Sequence, residues 1–353
     1  MHLPNLPVFR PQIDAEAVWR ELRPVIESGW LGMGPKVEEL ERKVAHLVKA
    51  KHFVALNSCT SALHLAVKCL DLPKGAHVLT TPISFVSTNA ALLWEDLVPV
   101  FGNVNRDGQL NESDGAYGTV ATIRVHLGGA ECLGGPALGN IPVIEDCAHA
   151  FGAAWIGQQK CVMRCWSFHA VKNLPMGDGG GISTNDDEIA ERLRRLRWMG
   201  ISKSTHQRSQ GRYVSDYSIE ELGFKYHMND ITAAIGLAVL PCVKAQNARR
   251  QDIAQRYHEA FRSESPSYLP AESSCHFYPL FFDHRERIEE RLAAHGIGFS
   301  RHYQPNCLYG DFRGYPAPGY LSAMQYWRKV IVLPIFPSMT DQEVERVIEV
   351  VRG

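Results

Sequence analysis

The sequence contains no C-x-x-C pair, no H-E-x-x-H motif, no internal repeat and no low-complexity tract. No uninterrupted apolar run approaches the roughly 18 residues that suggest a membrane span. Net charge is also lacking: 37 Lys and Arg against 38 Asp and Glu leave −1, which argues against a global polyanion binder and so against nucleic acid. The start, Met1-His2-Leu3-Pro4-Asn5-Leu6-Pro7, has neither a basic nor an apolar region of the secretory kind. Nine cysteines are scattered from Cys59 to Cys307. An odd count without C-x-x-C points to a reducing cytoplasm. Cys161 and Cys165 are the closest pair, but no further Cys or His completes a site around them, so no metal is expected. With 353 residues, 45% hydrophobic and 21% charged, the chain is long enough to bury a large core and for about two domains.

What is present is an alternation of short β-rich runs and helical patterns. Strands are expected at His52–Asn57, Val78–Thr81, Val98–Val104, Thr119–His126, Val143–Glu145 and Arg164–Phe168, and helices at Ser61–Leu70 and Ser84–Glu95. Such βαβ alternation implies an α/β fold, a mostly parallel sheet sandwiched by helices. Val37, Leu40, Val44, Leu47 and Val48 form a helical stripe before it. Asp186–Trp198 follows as an amphipathic helix, with Asn185 a plausible cap. The polar stretch from Ser202 to Ser218 reads as a long loop. Asp230–Arg250 reads as helix with a break at Pro241. The rest resembles a smaller α+β domain whose last helix opens on Thr340-Asp341-Gln342-Glu343, a capping-box pattern. The expected division is a large domain over 1–240, with an N-terminal arm, and a small C-terminal domain over 241–353.

Three segments carry chemistry. Lys172 follows Ser167-Phe168-His169-Ala170-Val171 and precedes Gly177-Asp178-Gly179-Gly180-Gly181. A lysine held among apolar residues loses its proton more easily, as amine nucleophiles require, and glycines let backbone approach a ligand. A surface lysine beside a tight turn has the same pattern. Asp146 ends the apolar run Val143-Ile144-Glu145, at the strand edge where α/β sheets bind ligands. It could pair with a pyridinium nitrogen or simply cap the next helix. Asn57-Ser58-Cys59-Thr60-Ser61 joins a strand to a helix and suits an anion, or plain capping by Ser58 or Thr60.

Together these segments resemble the DegT/DnrJ/EryC1/StrS sugar aminotransferases, pyridoxal 5'-phosphate (PLP) enzymes of the aspartate aminotransferase fold, fold type I. Further blocks match in order: Gly29–Pro35, Thr81–Phe85, Val125–Gly129, Glu145–His149, Gly223–Ile231 and Val332–Pro337. The resemblance covers nearly the whole chain. It implies that Lys172 carries PLP covalently and later shuttles the proton. Asp146 would keep the pyridine nitrogen protonated, and His149 would lie near the phenolic oxygen. Phe85 would stack on the ring, and Thr60, Ser61 and Ser167 would hold the phosphate. The Gly223–Ile231 block would reach the site of a second subunit, making a homodimer with shared active sites. There Lys225 stands where many members have Asn, and its ammonium would meet the phosphate; His227 stands where many have Arg, and Cys59 where many have Gly.

The resemblance further implies glutamate as amino donor and a nucleotide-linked ketosugar as acceptor, a UDP- or dTDP-linked 4-keto-6-deoxy sugar by the form of the late block. A keto-inositol (cyclitol) aminotransferase shares the same core motifs, and a non-catalytic PLP-binding regulator is a further reading. The PLP-dependent sugar dehydratases of the family have His at the lysine position, against Lys172 here.

Overall fold

The computed structural model describes residues 5–112, 118–133, 141–157, 161–201, 217–262 and 272–353. The long loop expected from Ser202 lies outside the described residues as far as residue 216. Two N-terminal helices, α1 (Ala15–Ser28) and α2 (Pro35–Leu47), precede the sheet. Seven strands follow: β1 (His52–Leu56), β2 (His77–Thr80), β3 (Val98–Phe101), β4 (Ala121–Val125), β5 (Val143–Asp146), β6 (Met163–Ser167) and β7 (Gly180–Thr184). Their spatial order is β1-β7-β6-β5-β4-β2-β3, with β7 antiparallel to both neighbours and the other pairings parallel. Helices α3 (Cys59–Lys68) and α4 (Ser87–Trp94) are the connections of the first two βαβ units.

All five residues of β6 and of β7 are buried, as expected for strands covered on both faces. The glycine run before Thr184 conceals β7 in the sequence. Gly180 and Gly181 serve the packing of this strand rather than a ligand. A Cβ on Gly180 would lie 2.6 Å from Cys59 N, and one on Gly181 within 2.6 Å of two Phe53 ring carbons. The start of α3 therefore seats directly on β7. Gly177 is different: its φ of +88° needs the freedom of glycine to turn the chain.

Two caps are worth separating. The helix after β7, α5 (Asp187–Leu196), is capped by Asp186, which accepts from Ile189 N–H. Asn185, the expected cap, instead accepts from Lys51 N–H at 2.8 Å. The helix Asp230–Val239 passes through a 3-10 turn at Leu240–Cys242, which contains Pro241, into the helix Val243–Ala260. By length and composition this run could span a membrane, but 56% of its apolar window is buried inside the protein, as in a core helix.

Beyond it, strands β8 (Tyr278–Phe281) and β9 (Val330–Leu333) pair antiparallel. They share a hydrophobic core with Tyr257, Phe277, Leu292 and Val347. Thr340 and Glu343 form the expected capping box of the last helix. The N-terminal arm binds this part of the chain: Leu6 N donates to Gly296 O at 2.9 Å, and Leu6 O accepts from Gly298 N at 2.7 Å.

Candidate active site

Parallel strands direct their C-terminal ends to one edge of the sheet. Val125 ends β4, Asp146 ends β5 and Ser167 ends β6, and all three line one cavity of about 360 Å³. A larger hollow of about 930 Å³ lies between α2 and the helix Val243–Ala260, but its described lining holds neither a carboxylate nor a hydroxyl. The chemistry is therefore at the sheet edge.

Adjacent residues of a strand point to opposite faces. Glu145 pairs with the Arg164 guanidinium on one face, which leaves Asp146 to the other. Asp146 is 4% exposed. Thr88 Oγ1 donates to its Oδ2 at 2.8 Å, and Ala148 N to its Oδ1 at 3.1 Å. Burial raises its pKa, while those two donors and the Lys172 charge oppose the rise.

Lys172 sits in a loop closed at its base by two backbone bonds on Phe168, from Phe168 N to Gly179 O at 2.8 Å and from Met176 N to Phe168 O at 2.9 Å. Protein surrounds its amine, and burial lowers its pKa from 10.5 to about 8, against the pull of Asp146. At pH 7 that leaves about a tenth of the amine neutral, some 300-fold more than in free lysine. A neutral amine is the nucleophilic form.

The far end of the cavity is the beginning of α3. Ser58 accepts from Ser61 N–H at 3.1 Å and so caps the helix. Ser58, Cys59, Thr60 and Ser167 line the wall there. Unsatisfied N–H groups and hydroxyls at a helix start favour an anion. Ser61, which the resemblance implied would hold the phosphate, stands behind the wall, its hydroxyl engaged by Ser58 and Asn57. Burial pushes the Cys59 thiol up, so it is neutral.

His149 lines the cavity as expected. Gly128 N–H points at its Nδ1 at 3.3 Å, so the ring proton is on Nε2, 3.2 Å from the Tyr303 hydroxyl oxygen. Burial first, then the Lys172 charge, keeps this imidazole neutral. Phe85 lies at the mouth, 59% exposed, with its ring 6.4 Å from that of Tyr303. Lys225 does not line this chain's cavity. It is exposed, with Nζ 3.6 Å from the centre of the Trp198 ring. Its carbonyl accepts from Asn57 beside the α3 start. Sequence reasoning missed Ser58 as a wall residue, Thr88 behind Asp146, and His276, His302, Tyr303 and Phe9, which come from the C-terminal part and the arm to cover the cavity.

The family model of the DegT/DnrJ/EryC1/StrS aminotransferase family matches residues 12–352. The chain belongs to this family. It is 34% identical over 377 aligned positions to the spore coat polysaccharide biosynthesis protein SpsC of Bacillus subtilis (strain 168), covering 98% of this chain and 96% of SpsC. Among solved structures it is similar to Spr1654 of Streptococcus pneumoniae in its PLP-form, with TM-score 0.87, 26% identity and coverage of 99% and 98% of the two chains. It is also similar to the sugar aminotransferase CalS13 of Micromonospora echinospora, with TM-score 0.85, 26% identity and coverage of 98% and 99%. The family aminotransferase thus has fold type I, the fold that the resemblance implied, built on the mostly parallel sheet expected from the βαβ pattern.

Proposed function

We propose that this aminotransferase uses PLP to convert a nucleotide-linked ketosugar, a UDP- or dTDP-linked 4-keto-6-deoxy sugar, to the aminosugar, with glutamate as donor. The observation that carries the reading is one cavity lined by a partly neutral amine, a buried carboxylate and a hydroxyl-rich helix start. That donor set fits PLP group by group. Lys172 offers the amine for its aldehyde and Asp146 the anion for its ring nitrogen. Ser58, Thr60 and Ser167 offer hydroxyls for its phosphate, with Ser61 supporting Ser58 from behind. His149 supplies an N–H beside Tyr303, and Phe85 an aromatic face at the mouth. When bound, PLP supplies an electron sink for the charge left as a Cα proton departs.

The remaining chemistry belongs to the chain. With PLP bound, the Lys172 amine would take the proton from Cα of the donor and deliver it to the PLP carbon that receives the amino group, a transfer that suits a group titrating near neutrality. Asp146 would pair with the ring nitrogen, and the Thr88 and Ala148 donors favour its ionised form against the rise that burial causes. His302, Tyr303 and Phe9 wall the cavity on the side of the C-terminal part and the arm. One site serves both substrates, so kinetics are ping-pong.

The same reading makes the enzyme a homodimer in which Lys225 serves the partner's site. Its exposed position beside the α3 start and the exposed apolar residues Ile219 and Leu222 near it support this. The reading also divides the chain into a large PLP-binding domain (1–240) and a small domain (241–353), and places it in the cytoplasm, where nine unpaired thiols stay reduced. The test is a panel of nucleotide ketosugars assayed for glutamate-dependent amination. Amination of a UDP- or dTDP-4-keto-6-deoxy sugar supports the reading. Turnover of a keto-inositol alone favours a cyclitol aminotransferase, and tight PLP binding without turnover of any acceptor favours a regulator.

A further inference from the structure

His276 lies one position before Phe277 on the way into β8, 3% exposed, and is used by none of the roles above. Its Nε2 is 3.5 Å from Lys172 Nζ, and its Nδ1 is 3.1 Å from Asn173 Oδ1. Which nitrogen carries the proton follows from the groups behind it. Asn173 Nδ2 donates to Ser274 O at 2.9 Å and to Asn247 Oδ1 at 2.8 Å. The amide of Asn173 is thereby oriented with its oxygen toward His276. Asn247 is fixed in turn, because Nδ2 donates to Phe151 O and Oδ1 accepts from Arg250 Nη1 at 3.1 Å. An oxygen facing Nδ1 requires a proton on Nδ1. Nε2 therefore presents a lone pair to Lys172.

The ring is also held in place. It stacks on Phe9 at 5.3 Å with planes 11° apart, and on His149 at 4.5 Å with planes 22° apart. The charged and titratable groups facing it are Lys172, His149, Arg250 and His302. All are basic; burial first, and then these neighbours, keeps the imidazole neutral.

We propose that His276 is a positioning residue for Lys172: its Nε2 accepts one N–H of the amine, in a chain of fixed donors that runs back through Asn173 and Asn247 to Arg250. The inference rests on the reading of Lys172 as the reactive amine, but not on the identity of the sugar. No proton passes to His276, since its neighbours hold it neutral. A bond to the ammonium is stronger than one to the neutral amine. His276 therefore holds the lysine titration up against burial, and it fixes where the nitrogen lone pair points. Because His276 belongs to the C-terminal part and Lys172 to the sheet, the bond makes the reactivity of the amine depend on how the two parts sit together.

The test uses the full-length chain freed of cofactor. The rate at which an amine-reactive probe, trinitrobenzenesulfonate, labels Lys172 is mapped by peptide mass spectrometry across pH 6 to 11. The wild type should show an inflection near 8. His276→Phe keeps the stacking ring and removes the acceptor, and its inflection should fall by about one pH unit, a tenfold change in the proton affinity of Lys172. His276→Gln restores an acceptor and should return the inflection most of the way. Identical inflections in wild type and His276→Phe overturn the proposal. If His276→Phe does not fold, nitrogen NMR of the wild-type imidazoles decides. His276 should be protonated on Nδ1 alone, with Nε2 responding as Lys172 titrates, and a proton on Nε2 overturns the proposal. A failed ketosugar panel with these results intact would sink the substrate and leave this inference standing.

Discussion

Lys172→Met tests the burial of the amine directly, in the cofactor-free chain. In the folded protein the amine titrates at about 8 against 10.5 for the ordinary group. Below pH 8 it is charged in both states, and the folded state bears the cost of the buried charge. At about 1.4 kcal/mol per tenfold, that cost is about 3 kcal/mol, an upper figure because water in the open cavity screens part of the charge. Between the two pKa values the unfolded chain binds the proton and the folded one does not, so stability rises with pH. Above 10.5 both forms are neutral and the cost is gone. Methionine has similar length and no charge. Relative to wild type, the variant should thus gain about 3 kcal/mol at pH 7, and the gain should shrink to about 1 kcal/mol at pH 10. Packing differences between the two side chains add a constant that does not vary with pH. Urea unfolding at pH 7, 8, 9 and 10 measures the slope of the difference. Parallel stability curves for the two proteins would refute a depressed lysine, whatever their offset.

Three further outcomes follow from the geometry. Asp146→Asn keeps the shape and removes the charge; PLP should still bind, while turnover on a ketosugar falls about 100-fold or more, the equivalent of about 3 kcal/mol for an unpaired cationic ring. Wild-type kcat in that variant would rule out the electron-sink partnership. Gly180→Ala places a methyl group 2.5 Å from Trp166 O and 2.6 Å from Cys59 N, so it should destabilise by about 2 kcal/mol or more and weaken PLP binding by displacing the α3 start; thermal unfolding and a PLP titration check the pair of effects. Lys172→Ala mixed with Lys225→Ala should recover activity if Lys225 serves the partner's site, because a hybrid dimer puts both defects in one site and leaves the other whole; no recovery on mixing two inactive homodimers would place Lys225 within its own subunit, and a fully active Lys225→Ala homodimer would make it a bystander.

The sheet was legible because its strands are short apolar runs between helical stripes, and six of the seven could be placed from that pattern. The seventh, β7, was not. Its first two residues are glycines, which have low strand preference, and their reason is the close approach of Phe53 and the α3 start across the sheet. No local pattern encodes a neighbour more than a hundred positions away. The α5 cap went to Asp186 rather than Asn185 for a similar reason, since Asn185 is drawn to Lys51 N–H on the chain before β1.

The site divides along the same line. Asp146 was found from its place at a strand end and Lys172 from its place before the glycine turn, whereas Ser167 at the end of β6 came only from the family resemblance. Ser58 and Ser61 were distinguishable only in three dimensions: the first lines the cavity while capping α3, and the second turns its hydroxyl back to Asn57. The residues that tune the chemistry were the least legible. Thr88 lies in α4 and reaches Asp146 across 58 positions. His276 reaches Lys172 across 104. Each acts by offering one donor or acceptor to a buried group that would otherwise lose its charge or its orientation. A buried carboxylate and a buried amine in one cavity need such partners, because burial alone drives both toward neutrality. The strand ends therefore bring the reactive groups together, and long-range hydrogen bonds set the protonation state each one holds.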